Sequence, residues 1–137
     1  MLPSIPVLPV VVSAVVVFLI GALWYSPVLF GKAWMRAHGH TEEKLRQMQA
    51  RAGRAYAVSL VCYLVMAVAM SILLQRVGVV SILTGVKLGA LLGFGFAATI
   101  GLTANVFSDK PLSAYLIDAG YQIVYLIVMG AILAAWR

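Results

Sequence analysis

Charge is scarce in this sequence, and acidic side chains are the scarcest. Lysine and arginine number ten, aspartate and glutamate only four, and charged residues make up 10% of the chain. Soluble domains carry about 25% charged residues, so this chain has too little charge to cover a water-exposed surface. The composition therefore excludes an ordinary soluble globular domain.

Cysteine is almost absent as well. The single Cys62 lies inside an apolar stretch, so no intrachain disulfide is expected and the cysteine content indicates no redox compartment. The first ten residues also lack lysine and arginine, whereas a secretory signal peptide has a basic start and a small-residue cleavage site. We therefore expect the first apolar run to remain in the membrane.

Apolar residues are what the sequence has in abundance, with 64% hydrophobic residues and a mean hydropathy of +1.03. A transmembrane helix needs about 20 mostly apolar residues. We expect one all-α domain over residues 1–137, with four transmembrane spans at about 7–26, 56–75, 82–107 and 112–135. The predicted fold is a polytopic four-helix membrane bundle made of two helical hairpins.

The basic loop at residues 32–54 holds six of the lysines and arginines. Thr41 is a candidate N-cap, with two glutamates in the first turn after it. We expect a helix from Glu42 that continues into the second span as a cytoplasmic extension, with Gly53 as its weakest point. Just before the loop, the spacing of Phe30 and Trp34 predicts a short interfacial element over about residues 28–35.

The basic loop also predicts the orientation of the protein. Lysine and arginine concentrate on the cytoplasmic side of membrane proteins, so the loop and Lys110 should face the cytoplasm, with both termini outside. Trp136 and Arg137 are expected to anchor the last span at the interface. The loop charges are expected to form a solvated face, with an anionic-lipid site as the alternative. Nucleic-acid binding is not expected, because no recognisable fold presents these charges.

The third span carries a ridge of small residues. One small residue recurs at every fourth position, at Gly85, Gly89, Gly93, Ala97 and Gly101. Such a glycine zipper allows close helix packing in lipid. Because four residues overshoot a helical turn by about 40°, we expect the ridge to spiral and to need more than one partner. A homo-oligomer is predicted, and packing within one chain is the alternative.

Polar residues gather in the cytoplasmic half of the predicted bundle. Asp118 should lie about 10 Å into the membrane and Asn105 about 5 Å, and ionisable groups at such depth often mark functional sites. We expect a polar pocket open to the cytoplasm. The predicted ligand-binding residues are Asp118, Asn105, Gln122, Tyr121, Tyr63, Tyr25, Trp24 and Ser59.

A carboxyl group at this depth suits uptake and release of a proton or binding of a cationic or hydroxylated small ligand. The favoured function is therefore small-ligand or ion binding and transport. A structural scaffold is the alternative, in which Asp118 and Asn105 hydrogen-bond each other, Tyr63 or a backbone group and fix the helix register. No catalytic residue or cofactor is predicted. His38 and His40 have metal-binding atoms but lack a rigid ligand set, so no metal site is predicted.

Two stretches resemble the signature regions of a bacterial family catalogued as domain of unknown function 1761. They are GALWYSPVLFGKAWM, at residues 21–35, and LIDAGYQIVYLIVMGAILAAW, at residues 116–136. The resemblance implies a small four-span inner-membrane protein and no particular activity. The resemblance covers essentially the whole chain, and its signature positions are Trp24, Tyr25, Pro27, Asn105, Asp118 and Gln122.

Two other four-span families share less with this sequence. Small multidrug exporters depend on a carboxylate in the first span, and residues 7–25 contain none. RAGRAYAVS, at residues 51–59, is similar to the arginine part of a motif in membrane enzymes of eicosanoid and glutathione metabolism. The Asn and Glu that follow in that motif are missing here, so glutathione chemistry is not expected.

Overall fold

The computed structural model describes residues 4–78 and 81–136 of the chain, which fold as helices without a strand. Arg137, one of the two expected interfacial anchors, lies outside these residues. The all-α prediction is confirmed. The helices are α1 (Val7–Trp24), α2 (Gly31–His38), α3 (Glu42–Ala50), α4 (Ala52–Val77), α5 (Ile82–Leu92), α6 (Ala98–Phe107) and α7 (Leu112–Ala135). A π-helical turn, Gly93–Ala97, joins α5 to α6.

Four helical stretches in the described residues are long and apolar enough to cross a membrane. They are α1, α4, the continuous stretch Ile82–Phe107, and α7. The prediction of four candidate spans is therefore confirmed. The short helices α2 and α3 lie between the first and second spans, in the basic part of the sequence.

The fourth span, α7, is the central helix of the fold. Together with α1 and α4 it encloses the core, which includes Val17, Leu74, Met129 and Leu133. The third span packs on α7 from the outside. In the apolar segment of the third span only 6% of the residues are buried, against 39% in that of the fourth span. The protein is therefore built as three mutually packed spans with a peripheral fourth.

The small-residue ridge of the third span packs against α7 of the same chain. An added Cβ at Gly85 would meet the backbone of Gly130, and one at Gly89 would meet the carbonyl oxygen of Leu126. One at Gly93 would lie 3.1 Å from the Cα of Ile123. These glycines thus allow the third and fourth spans to pack closely against each other.

The expected spiral of this ridge is wrong, because one helix covers it over its length. Beyond the π-helical turn, Gly101 still faces α7, with its virtual Cβ 3.4 Å from the ring of Tyr115. A π-helical turn holds about one residue more than an α-helical turn and so delays the rotation by about 100°. That delay offsets the overshoot accumulated over the preceding turns and keeps the ridge on one side.

The expected continuous helix from Glu42 into the second span is also wrong. The helix is interrupted at Arg51 (φ −105°, ψ 4°), two residues before Gly53. Thr41 does cap α3, since its Oγ1 accepts a hydrogen bond from the Lys44 N–H at 3.2 Å. No residue of α3 is buried, and most helical stability in proteins comes from tertiary packing. Without packing, α3 has nothing to hold it in line with α4.

Candidate functional site

The centre of the site is a hydrogen bond between the first and fourth spans. The Tyr25 hydroxyl donates to Oδ1 of Asp118 at 2.6 Å, a length typical of a hydroxyl bound to a charged carboxylate. Both side chains are half-buried. Within the described residues, Asp118 forms no ion pair with a lysine or arginine, and Tyr25 is its hydrogen-bond partner. The carboxylate therefore keeps an oxygen available for another group.

Trp24 holds the end of α1 against α7 and so positions Tyr25. Its indole Nε1 donates to the carbonyl oxygen of Ile117 at 3.0 Å. Its ring lies over Gly120, where an added Cβ would be 3.1 Å from Cζ2 of the indole. A side chain at position 120 would push the indole away. Ile117 and Gly120 of α7 thus position Trp24 directly beside Asp118.

Tyr121 extends the polar contacts into the interior. Its hydroxyl lies 2.8 Å from the carbonyl oxygen of Val17 and 3.1 Å from the hydroxyl of Tyr63. Because a phenol has one proton to donate, Tyr121 donates to the carbonyl and accepts from Tyr63. Three spans therefore meet at one hydroxyl. The rings of Tyr25 and Tyr121 also make an edge contact, with centroids 5.5 Å apart.

The short helix α2 folds back over this end of the bundle. Gly31 makes the return possible, since an added Cβ would lie 2.8 Å from the carbonyl oxygen of Ser26. The ring of Trp34 then meets that of Tyr25 edge to face at 6.1 Å, and that of His38 at 4.2 Å. His38 in turn stacks on His40 at 5.2 Å. Aromatic rings thus form a row from the Asp118 partner to the end of α2.

Two nitrogen atoms of this row are buried without a hydrogen-bond partner in the described part of the chain. They are Nε1 of Trp34 and Nε2 of His38. A buried polar atom left unpaired costs about 1–3 kcal/mol, so native proteins usually satisfy such atoms with water or a ligand. These two atoms indicate that something polar belongs beside α2.

The electrostatics around His38 favour its neutral form. Burial lowers the pKa of His38 below its ordinary value, and the nearby positive charges of His40 and Lys110 lower it further. Asp118 acts in the opposite direction, which shows that the imidazole lies within electrostatic reach of the carboxylate. A neutral imidazole can accept as well as donate a hydrogen bond.

The structure places Asn105 outside this cluster. Its side-chain Nδ2 donates to the carbonyl oxygen of Lys110 at 3.1 Å, and the Lys110 N–H returns a bond of 3.2 Å to its carbonyl. Asn105 therefore closes the turn between α6 and α7, where Asp109 adopts a positive φ of 55°.

The other predicted residues divide into two groups. Trp24, Tyr25, Tyr63, Tyr121 and Asp118 come together as described. Gln122 points toward the third span, with its Oε1 3.8 Å from a virtual Cβ at Gly101. Ser59 is half-buried on α4, and no hydrogen bond among the described residues joins it to Asp118.

Two residues that sequence reasoning left out, Trp34 and His38, lie next to the site. The i, i+4 spacing of Trp34 and His38, which continues the spacing of Phe30 and Trp34 beyond the predicted element, was a usable signal. The predicted interfacial element ended at about residue 35, which left His38 in a loop. Gly39 is instead the left-handed C-cap of α2, with φ 66°, so the helix includes His38.

Four apolar helices of spanning length, with a carboxyl group between two of them, suggest a multi-pass membrane protein. Within this class, the chain belongs to the family described as protein of unknown function (DUF1761), whose model matches residues 8–134. The resemblance noted in the sequence is confirmed. No curated protein and no solved structure matches the chain.

Proposed function

We propose that this protein binds a small ligand or an ion inside the membrane at Asp118 and takes part in its transport. The observation that carries the proposal is the carboxylate itself, which lies between spans with the Tyr25 hydroxyl as its partner at 2.6 Å. An ionisable group in a membrane span is expensive to keep and usually functional. A cation, a proton or a hydroxyl donor would satisfy the remaining carboxylate oxygen.

The surroundings of Asp118 suit a cationic or hydroxylated ligand. The rings of Trp34 and Tyr121 lie against the ring of Tyr25, the partner of the carboxylate, and aromatic faces attract cations. The unpaired nitrogens of Trp34 and His38 offer hydrogen bonds to a hydroxyl group. The proposed pocket therefore has α2 as its cover, and Asn105 belongs to the adjoining turn.

Native mass spectrometry of the purified protein released from nanodiscs tests this proposal. We expect a reproducible small adduct on the parent protein that is lost in Asp118→Asn. Asp109→Asn is the matched control, because Asp109 lies exposed in the turn and asparagine tolerates its positive φ. An adduct that persists in Asp118→Asn would place the ligand elsewhere, and bare protein in every variant would remove the evidence for a tightly bound ligand.

A structural scaffold is the second candidate, and a specific observation favours it. The Tyr25 bond to Asp118 and the Tyr121 bond to Val17 both tie α7 to α1. In a pure scaffold the amide of Asp118→Asn could still accept from Tyr25, so the change would leave function intact. A scaffold would instead fail when Gly89→Leu separates α5 from α7.

The proposed setting is the cytoplasmic membrane of a bacterium, with both termini outside and the site facing the cytoplasm. The excess of positive charge in residues 32–54 supports this orientation. Anionic lipid at the basic loop and a second copy of the chain are the proposed partners. Gly85, Gly89 and Gly93 are engaged within the chain, so these glycines add no support for the second copy.

A further inference from the structure

We propose that Asp118 binds a proton when its ligand is absent, and that His38 passes this proton between Asp118 and the water outside the bundle. This inference rests on the proposed function, since it requires Asp118 to be an ion site. It names the ion that replaces the ligand and adds a residue of α2 to the site.

The first support is the continuous path from Asp118 to α2. The carboxylate is bonded to Tyr25 at 2.6 Å, the ring of Tyr25 contacts Trp34, and Trp34 lies against His38 with centroids 4.2 Å apart. These packed side chains bring the end of α2 over the carboxylate. His38 is therefore a group at the mouth of the site and not a distant loop residue.

The second support is the unequal environment of the His38 ring. Its Nε2 is enclosed by protein and has no hydrogen-bond partner in the described residues, yet the residue as a whole keeps partial exposure. A ring with one buried, unpaired nitrogen and a partly exposed remainder can exchange protons with a water inside the bundle and with the solvent. Histidine suits this task because its ordinary pKa of about 6.5 lies near neutrality.

The transfer requires water between the two side chains, because no hydrogen bond joins His38 to Asp118 in the described residues. The protonated carboxyl gives its proton to the water, and the same water gives another proton to Nε2. The water is regenerated, a carboxylate and an imidazolium form, and the imidazolium then releases a ring proton to bulk water. The reverse sequence loads Asp118.

The charges around His38 suit a relay and not a store of protons. Lys110 in the turn before α7 and His40 beyond α2 both oppose a positive imidazole, while Asp118 on α7 favours it. Tyr25, from the end of α1, holds the carboxylate and is uncharged at neutral pH. An imidazolium formed here therefore loses its proton readily, which keeps His38 ready to accept the next one.

Time-resolved infrared spectroscopy of the protein in nanodiscs, after a jump in pH, tests the relay. The carboxyl band that is lost in Asp118→Asn reports the protonation of Asp118. We expect His38→Ala to slow the change of this band by about 100-fold, in the range found for positioned proton-transfer groups. Imidazole added to the buffer should restore the rate. His40→Ala is the comparison variant: it alters the charge beside His38 but keeps the accepting nitrogen, so it should change the rate far less than His38→Ala does.

The outcomes separate this inference from the proposed function. Equal rates in His38→Ala and the parent would overturn the relay and leave the Asp118 site standing. A carboxyl band that never changes with pH, together with an adduct lost in Asp118→Asn, would mean that Asp118 binds its ligand but no proton. If His38→Ala does not fold, His38→Gln replaces it, because glutamine keeps a polar side chain that cannot titrate, and the same slowing is expected.

Discussion

The hydroxyl of Tyr121 donates a hydrogen bond of 2.8 Å to the carbonyl oxygen of Val17, across the interface between the fourth and first spans. The contact depends on Gly21, where an added Cβ would lie 2.6 Å from that hydroxyl. A glycine on one helix thus makes room for a tyrosine on another. This contact anchors the interior end of the candidate site.

Tyr121→Phe should therefore destabilise the fold, because it removes the bond to Val17 and leaves the Tyr63 hydroxyl without its acceptor. We expect a loss of about 1–2 kcal/mol in the free energy of unfolding, measured by denaturing detergent titration in bicelles. Tyr56→Phe is the control, since Tyr56 is exposed and contacts Phe18 through its ring. Equal losses in both variants would contradict the assigned role of the Tyr121 hydroxyl.

Gly89→Ala should separate the third and fourth spans. The new Cβ would meet the backbone of Leu126, and backbone cannot yield as a flexible side chain does. Overpacking of this kind costs about 1–3 kcal/mol, measurable in the same titration. Gly95→Ala, on the open side of the same span with its nearest neighbour 4.0 Å away, should be neutral or slightly stabilising. A neutral Gly89→Ala would argue against the close contact with α7.

The stability of the protein should fall as the pH drops below about 6.5, the ordinary pKa of histidine. The folded protein lowers the pKa of His38 through burial and nearby positive charge, so the unfolded chain binds the proton first and gains free energy. The titration midpoint, followed from about pH 8 to about pH 5, checks this. His38→Gln should flatten the dependence more than His40→Gln does; identical profiles would contradict it.

Asn105→Ala should affect the turn and spare the site. Removing the bond from Nδ2 to the Lys110 carbonyl should lower the free energy of unfolding by about 1 kcal/mol. Retention of the small adduct in native mass spectrometry should match that of the parent protein. An adduct lost in Asn105→Ala, with folding intact, would return this residue to the ligand-binding group.

The predicted orientation can be checked with a reporter. Alkaline phosphatase folds only outside the cytoplasm, so a fusion after Arg137 should be active and a fusion within residues 39–41 inactive. The physical reason is the basic loop, which membrane insertion retains on the cytoplasmic side. The opposite pattern of activities would reverse the topology and turn the Asp118 end of the bundle outward.

The spans could be predicted because hydropathy is a property of consecutive residues. Asp118 and Tyr25 could be placed at a similar depth for the same reason, by counting residues along each helix. Their hydrogen bond could not be predicted, since it depends on how α1 and α7 are rotated about their axes. Depth alone also could not predict the partner of Asn105, whose amide donates to a backbone carbonyl five residues ahead.

The π-helical turn and the position of α2 also could not be predicted from the sequence. A shift in helical phase at Gly93–Ala97 leaves no simple mark in the spacing of small residues, so a regular helix was assumed. The return of α2 over the site depends on Gly31 packing against the carbonyl of Ser26, a contact that exists only once α1 has ended. These features require three-dimensional packing to be known first.

The central place of α7 has a consequence for biosynthesis. Of the four spans, α7 leaves the ribosome last, yet the first span and the third both pack against it. The third span must therefore remain in the membrane without its main partner, and α1 and α4 have only each other, until translation of α7 is complete. We expect assembly to be completed only after translation, and nascent chains stalled before Leu112 to be accessible to membrane proteases mainly along the third span.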